Sequence, residues 1–148
     1  MSNYATENLR TLALVGHGSC GKTTLIEAML YRAGMIPEMG SIQRGTTMCD
    51  NDLLEKEVGH SIRLAVAHID TAMTDLTPVR IHILDTPGYP DYLGQDMSAL
   101  DAVKSVCAVI DPTKGPELLT RRLMAMAKER GLCRICLLYT SPSPRDYA

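Results

Sequence analysis

Gly16-His17-Gly18-Ser19-Cys20-Gly21-Lys22-Thr23 sets two glycines either side of four residues and closes on a Lys-Thr pair. That spacing, G-x-x-x-x-G-K-[ST], suits a loop whose successive backbone N–H groups wrap a polyphosphate. Glycine is needed where a side chain would collide or where φ is positive. The wrap ends on a helix N-terminus, whose dipole and open N–H groups favour anions. Lys22 then offers a point charge to β- and γ-phosphates, and Thr23 a hydroxyl to magnesium. A chance glycine-rich strand–helix turn is the rival explanation, and the apolar run before the motif and helical spacing after it weigh against that. Further along, Asp85-Thr86-Pro87-Gly88 ends another apolar run. A carboxylate at a strand end beside such a loop accepts a magnesium-bound water, and Gly88 can turn its N–H to a γ-phosphate unobstructed. Ser61 lies between the two motifs. Either it reaches the metal from the other side, or it is a solvent-facing hydroxyl at a strand start; spacing leaves both open.

The elements that must position these groups alternate strand, turn, helix. Leu9–Val15 is a short apolar run stopping at glycines, as in a buried parallel strand. Residues 22–33 carry Leu25, Ile26, Met29 and Leu30 at helical spacing. Residues 34–60 lose periodicity, which marks a long irregular segment of the functional or mobile kind, with one weak helical turn at 53–57. Residues 62–69 and 79–84 read as a hairpin around Asp75-Leu76-Thr77-Pro78, the first with Ile62, Leu64 and Val66 on one face. A helix over 91–103, a strand at Ser105–Ile110, a helix over 116–130 ended by Gly131, and a strand over 132–138 complete the pattern. The fold class is therefore α/β, a mostly parallel sheet with helices on both faces and one β-hairpin. Ligands of such sheets sit at the carboxyl ends of the strands, where both glycine-rich breaks fall.

Composition narrows the field. The 148 residues fit one domain, and 45% hydrophobic with 22% charged is ordinary globular material. A net charge of −2 supplies no basic field for a nucleic-acid backbone, and no run approaches the ~18 apolar residues of a membrane span. The first residues lack the charged and apolar regions of a secretory signal. Five scattered cysteines make no disulfide framework, and their odd number points to a reducing cytosol. With no Phe or Trp, the core must be aliphatic and rich in Met. Cys133-Arg134-Ile135-Cys136 has no second pair, and His17, His60, His68 and His82 have no metal-like spacing. His82 is expected to face away from the core, and Arg121 and Arg122 to lie on a solvated helix face. Cys20, near a helix N-terminus and Lys22, is expected to have a lowered pKa and to react with alkylating agents unless nucleotide protects it.

Taken together, these motifs resemble the guanine-nucleotide-binding domain of translational GTPases, most closely elongation factor G and its G-like relatives. The likeness covers residues 9–135. It includes the P-loop with its following Thr24, Arg44-Gly45-Thr46-Thr47-Met48-Cys49-Asp50, Lys56-Glu57-Val58-Gly59-His60-Ser61-Ile62, Asp85-Thr86-Pro87-Gly88-Tyr89-Pro90-Asp91-Tyr92 and Asp111-Pro112-Thr113-Lys114-Gly115. The resemblance implies a P-loop NTPase fold, GTP and GDP as ligands, Mg2+, hydrolysis stimulated by the ribosome and a cytoplasmic setting. On that footing Gly16, His17, Gly18, Ser19, Cys20, Gly21, Lys22, Thr23, Thr24, Asp85 and Gly88 bind nucleotide, Thr23, Ser61 and Asp85 organise the metal, and Lys22, Gly88 and Tyr89 serve catalysis. The departures are specific. Tyr89 stands where the family has the His that positions water, and a phenol, with an ordinary pKa of ~10, lacks that charge. Val58-Gly59-His60-Ser61 replaces Arg-Gly-Ile-Thr, and Ser19 replaces an Asp. These changes point to a divergent G-like member.

The guanine-reading Asn-Lys-x-Asp of the family corresponds to Tyr139-Thr140-Ser141-Pro142, which offers no carboxylate to the base. The run from Cys136 to Asp146 resembles one translated frame of a transposase sequencing adapter. The expected organisation is thus a tail over 1–8, a GTP-binding domain over 9–135 lacking its last strand and helix, and read-through over 136–148. Such a chain is expected to aggregate readily and to bind GTP weakly, with little discrimination against ATP. A P-loop ATPase or kinase, and a binding module that holds nucleotide without hydrolysing it, remain the rival functions.

Overall fold

The computed structural model describes residues 4–49, 57 and 61–138. Its elements run β1 (Leu9–Val15), α1 (Lys22–Arg32), β2 (Ala65–Ala72), β3 (Pro78–Asp85), α2 (Leu93–Ala102), β4 (Ser105–Ile110), α3 (Leu118–Glu129) and β5 (Cys133–Leu138). They form one five-stranded sheet in the order β2-β3-β1-β4-β5. β1 pairs in parallel with β3 and β4, β4 pairs in parallel with β5, and only the β2–β3 hairpin is antiparallel. This is the α/β sheet that the alternation predicts.

Both faces of the central strands β1 and β4 are covered, because their apolar residues occupy both parities. Leu14, Ile69, Ile83, Cys107 and Val109 point to one side, where Ile26 and Leu30 of α1 pack on them. Ala13, Val15, Leu84, Val106, Ala108 and Ile110 point to the other, under Ala99 and Leu100 of α2 and Leu123 and Ala127 of α3. Each large aliphatic side chain buried this way contributes about 1.5–3 kcal/mol. α3 ends as its sequence predicts: Gly131 takes φ +68, and Leu132 N–H donates back to Ala127 O at 3.0 Å.

Three element assignments need correction. The strand expected over 62–69 is Ala65–Ala72, since β3 ends at Asp85 opposite Ala65 and gives 62–64 no ladder partner. The Gln95 side chain serves instead, accepting from Leu64 N–H at 2.6 Å and donating to Ile62 O at 2.9 Å. The inward face of β2 is also the other one: Ala65, Ala67 and Ile69 face α1, while Val66 is 64% exposed. In the third, the helices expected at 91–103 and 116–130 start late, after a 3-10 turn at Pro90–Tyr92 and after Glu117. β5 lies at the sheet edge with all its residues exposed, and it runs to Leu138, three residues into the stretch assigned to the tail. The possible turn at 53–57 lies, but for Glu57, outside the described residues, as does 139–148.

The irregular segment after α1 has an anchor that no motif announces. Glu27, fully buried in α1, accepts the Gly40 N–H at 3.0 Å on one carboxylate oxygen and the Met48 N–H on the other. Position 40 must be glycine, because a Cβ there would lie 2.6 Å from Thr46 O and 2.7 Å from Glu27 Oε2. Removing Glu27 strands two inward-facing donors, a loss of about 1–3 kcal/mol. Glu27→Ala is expected to lower the unfolding free energy in urea by that amount, with a lower midpoint, and to speed tryptic cleavage at Arg44, with Glu27→Gln intermediate because it keeps one acceptor. An unchanged midpoint and cleavage rate would show that the anchor contributes nothing.

Candidate functional site

β1 delivers the chain to the carboxyl edge of the sheet at Val15, and the loop 16–21 turns it back into α1. Gly16 (φ +155) leaves no room for a side chain: a Cβ would sit 2.5 Å from Val109 O. Ser19 and Gly21 both adopt left-handed backbone, at φ +61 and +93, and Gly21 caps α1. Lys22, 5% exposed, folds its ammonium back over the loop, donating to His17 O at 2.9 Å and Gly16 O at 3.2 Å. The cation is held in the cradle by the carbonyls of the loop it would share with a phosphate.

Asp85 arrives from β3. The Thr23 hydroxyl donates to Asp85 Oδ2 at 2.6 Å, and Ser61 Oγ lies 3.2 Å from Thr23 Oγ1. The Ser61 hydroxyl therefore stands beside the Thr23–Asp85 pair. Thr86 fixes the turn that follows by donating to Leu14 O at 2.8 Å. Gly88, at φ +78, lies on the loop so closely that a Cβ would run into Gly16 O and Lys22 Nζ. Tyr89 comes next, its hydroxyl 3.5 Å from Ser19 Oγ. Two hydroxyls and a carboxylate gathered within hydrogen-bonding range form a hard-oxygen donor set that fits magnesium. Lys22 and the helix N-terminus beside them supply the positive field for phosphate.

Of the residues singled out in the sequence, the loop 16–23, Ser61, Asp85, Gly88 and Tyr89 are brought together, and half-buried Thr24 follows in the first turn of α1. One expectation is overturned, at Cys20, and the His17 side chain has a place that the motif does not specify. His17 is 4% exposed, and its ring lines a cavity of about 360 Å³ beside Tyr89, Leu93 and Leu119, with Nε2 3.8 Å from Glu117 Oε1. Cys20 does not have a lowered pKa. Burial raises it, and the nearby Lys22 charge offsets only part of that rise, so the thiol is shielded and not activated. Far from this edge, His82 is half-buried on the hairpin, its ring 6.3 Å from that of His68.

Known proteins share this sequence pattern and fold. Residues 7–139 match the family model of the elongation factor Tu GTP binding domain. The chain is 34% identical over 121 residues to the tetracycline resistance protein TetM of Enterococcus faecalis, covering 82% of this chain and 18% of that protein. It is also 34% identical over 130 residues to an elongation factor G-like protein of Mycobacterium tuberculosis, covering 88% and 18%. Among solved structures, a protein from Thermus thermophilus superposes with a TM-score of 0.79 at 34% identity over 87% of this chain and 19% of that one. A bacterial selenocysteine-specific elongation factor gives 0.67 at 25% identity over the same shares. The chain thus spans under a fifth of the length of these relatives. No helix among the described residues is long and apolar enough to cross a membrane.

Beneath the turn lies a carboxyl group that the motifs do not flag. Asp96 of α2 is fully buried, on the face that carries Ala99 and Leu100. Its i+3 and i+4 spacing to those residues is the signal that would have found it. Burial raises its pKa, with the Thr86 hydroxyl, the Lys22 charge and the Gly88 amide each offsetting part of the rise. A native-state pKa above the unfolded value means that the fold binds this proton more tightly. The penalty is therefore absent below the ordinary carboxylate range and grows as pH rises through it. Asp96→Asn is expected to raise the thermal midpoint at pH 7, with a gap that narrows towards pH 4. A gap that stays constant or widens on acidification would place the group's charge elsewhere.

Proposed function

The chain belongs to the elongation factor Tu GTP-binding domain family, and from that membership we propose that it binds GTP with magnesium and hydrolyses it to GDP. The observation that carries this is the Thr23–Asp85 bond of 2.6 Å with Ser61 beside it, directly under the lysine cradle. Loop amides and Lys22 hold the phosphates. Thr23, Ser61 and Asp85 would hold the metal, directly or through water, and it would supply positive charge against the phosphates. Gly88 turns its N–H towards the γ-phosphate, and the Tyr89 hydroxyl holds the attacking water by hydrogen bonding alone. The parent protein, of elongation factor G-like kind, couples this cycle to the ribosome in the cytoplasm. The family favours guanine over the ATPase or kinase alternative.

A fluorescent GDP analogue titrated into the chain tests the site. Binding is expected to need magnesium, to vanish in EDTA, and to weaken about ten- to a hundred-fold in Lys22→Ala, equivalent to about 1.5–3 kcal/mol of charged hydrogen bonding. GTP should compete at least as well as ATP. Stronger competition by ATP, or binding indifferent to both magnesium and Lys22, overturns the proposal. Tyr89 in place of a charged residue favours a second reading, a module that holds GTP and turns it over slowly. Single-turnover hydrolysis with and without ribosomes decides between them, a rate that ribosomes leave unchanged favouring the module.

A further inference from the structure

The P-loop pattern requires glycine at 16 and 21 but leaves position 18 open, and the backbone at Gly18 is not among the positive-φ glycines. Conformation therefore gives no reason for glycine there. Space does. A Cβ on Gly18 would lie 2.5 Å from Tyr89 Cε1 and 2.6 Å from Tyr89 Oη, inside the ring's van der Waals envelope. The next residue continues the contact, with Ser19 Oγ 3.5 Å from the same hydroxyl. On the other side Gly88 is pressed against Gly16 O and Lys22 Nζ, so the backbone leading into Tyr89 cannot retreat without giving up that packing. The ring also walls the cavity shared with His17, Leu93 and Leu119.

We propose that Gly18 is a positioning residue for Tyr89: bare backbone at position 18 is the seat on which the phenol ring docks over the phosphate loop. The role of this contact in hydrolysis rests on the nucleotide reading above, whereas the contact itself does not. Residues 18 and 89 then act as one unit. A side chain as small as methyl at 18 turns the ring out, because a ring on a flexible side chain yields before the loop backbone does. A hydroxyl that is to hold water loses its placement by more than an ångström, a displacement worth about a hundred-fold in rate where geometry is the source of catalysis.

Two measurements on the full chain test this. The wild-type NMR spectrum should show nuclear Overhauser contacts between Gly18 Hα and the Tyr89 ring protons. With 3-fluorotyrosine incorporated and Tyr89 assigned through Tyr89→Phe, Gly18→Ala should move the Tyr89 resonance to the solvent-exposed position and leave the other tyrosines in place. Absence of the contacts, or a Tyr89 resonance indifferent to Gly18→Ala, overturns the seat, and the wild-type arm decides even if the variant fails to fold. In single-turnover hydrolysis, Gly18→Ala and Tyr89→Ala should slow the reaction by similar factors and the double variant by no more than either. Losses that multiply would make residue 18 act on the phosphate loop by itself and overturn the pairing. A wild-type chain that binds no nucleotide removes only the hydrolytic arm together with the proposed function, and the two NMR arms still stand.

Discussion

The bond from Thr23 Oγ1 to Asp85 Oδ2 joins residues 62 apart in sequence, and the rest of the site is arranged around it. It forms only if β1 and β3 are parallel neighbours in one register. That register sets Leu14 opposite Asp85, so the next residue, Thr86, reaches the Leu14 carbonyl with its hydroxyl. The loop 16–21 must then reverse the chain over a short span, using left-handed backbone at Ser19 and Gly21, to lower α1 onto the strand end. Slip the register by one residue and Asp85 would face the opposite side of the sheet. The site is thus a consequence of strand pairing before it is a consequence of any motif.

Such a site loads the carboxyl edge with polar atoms that the core would otherwise exclude. His17, Lys22, Thr23, Asp85, Thr86 and Asp96 are all buried there. Burial of a polar group is unfavourable unless it is paired, and these pairings are uneven. Lys22 finds two carbonyls, Thr86 one, and Asp85 a hydroxyl, whereas burial raises the pKa of the Asp96 carboxyl. At the opposite end of the hairpin, charge is handled in the inexpensive way. Arg80 makes two bonds to Asp70 at 2.6 and 2.8 Å and lies over the Tyr4 ring, where solvent covers what the pair does not. The stability given up at one edge is the requirement for holding charge there.

What is legible in the sequence follows from how local each signal is. β1, β4, α1 and the loop between β1 and α1 can be read directly, because buried parallel strands are apolar throughout and P-loop spacing is fixed by its own backbone. β2 cannot. Its apolar residues occupy both parities, and which parity turns inward depends on α1, a partner distant in sequence that prefers the small Ala65 and Ala67. Cys20 misleads for a similar reason: proximity to Lys22 and a helix start is visible, but the burial that outweighs both is a property of the packed whole. Ser61 stays undecided in the sequence because nothing local distinguishes a metal-facing hydroxyl from a solvent-facing one. Glu27 and Asp96 escape notice since a carboxylate on a helix is ordinarily a solvated one, and only their spacing to buried neighbours says otherwise.

Glu27 also gives α1 a double task. Thr23 and Glu27 are four residues apart and so share one face of the helix. That face tethers the excursion between α1 and β2 near both of its ends, through Gly40 and Met48 on Glu27 and through Ser61 on Thr23. The two tethers differ in kind. A fully buried carboxylate takes two backbone N–H groups at once. A neutral hydroxyl pair at 3.2 Å is weaker, and both of its oxygens belong to the donor set that fits magnesium. The end nearer α1 is thus held by a buried carboxylate, and the end nearer β2 by the Thr23–Ser61 hydroxyl pair together with Gln95 on Ile62 and Leu64, the first two anchors hanging from the same helix.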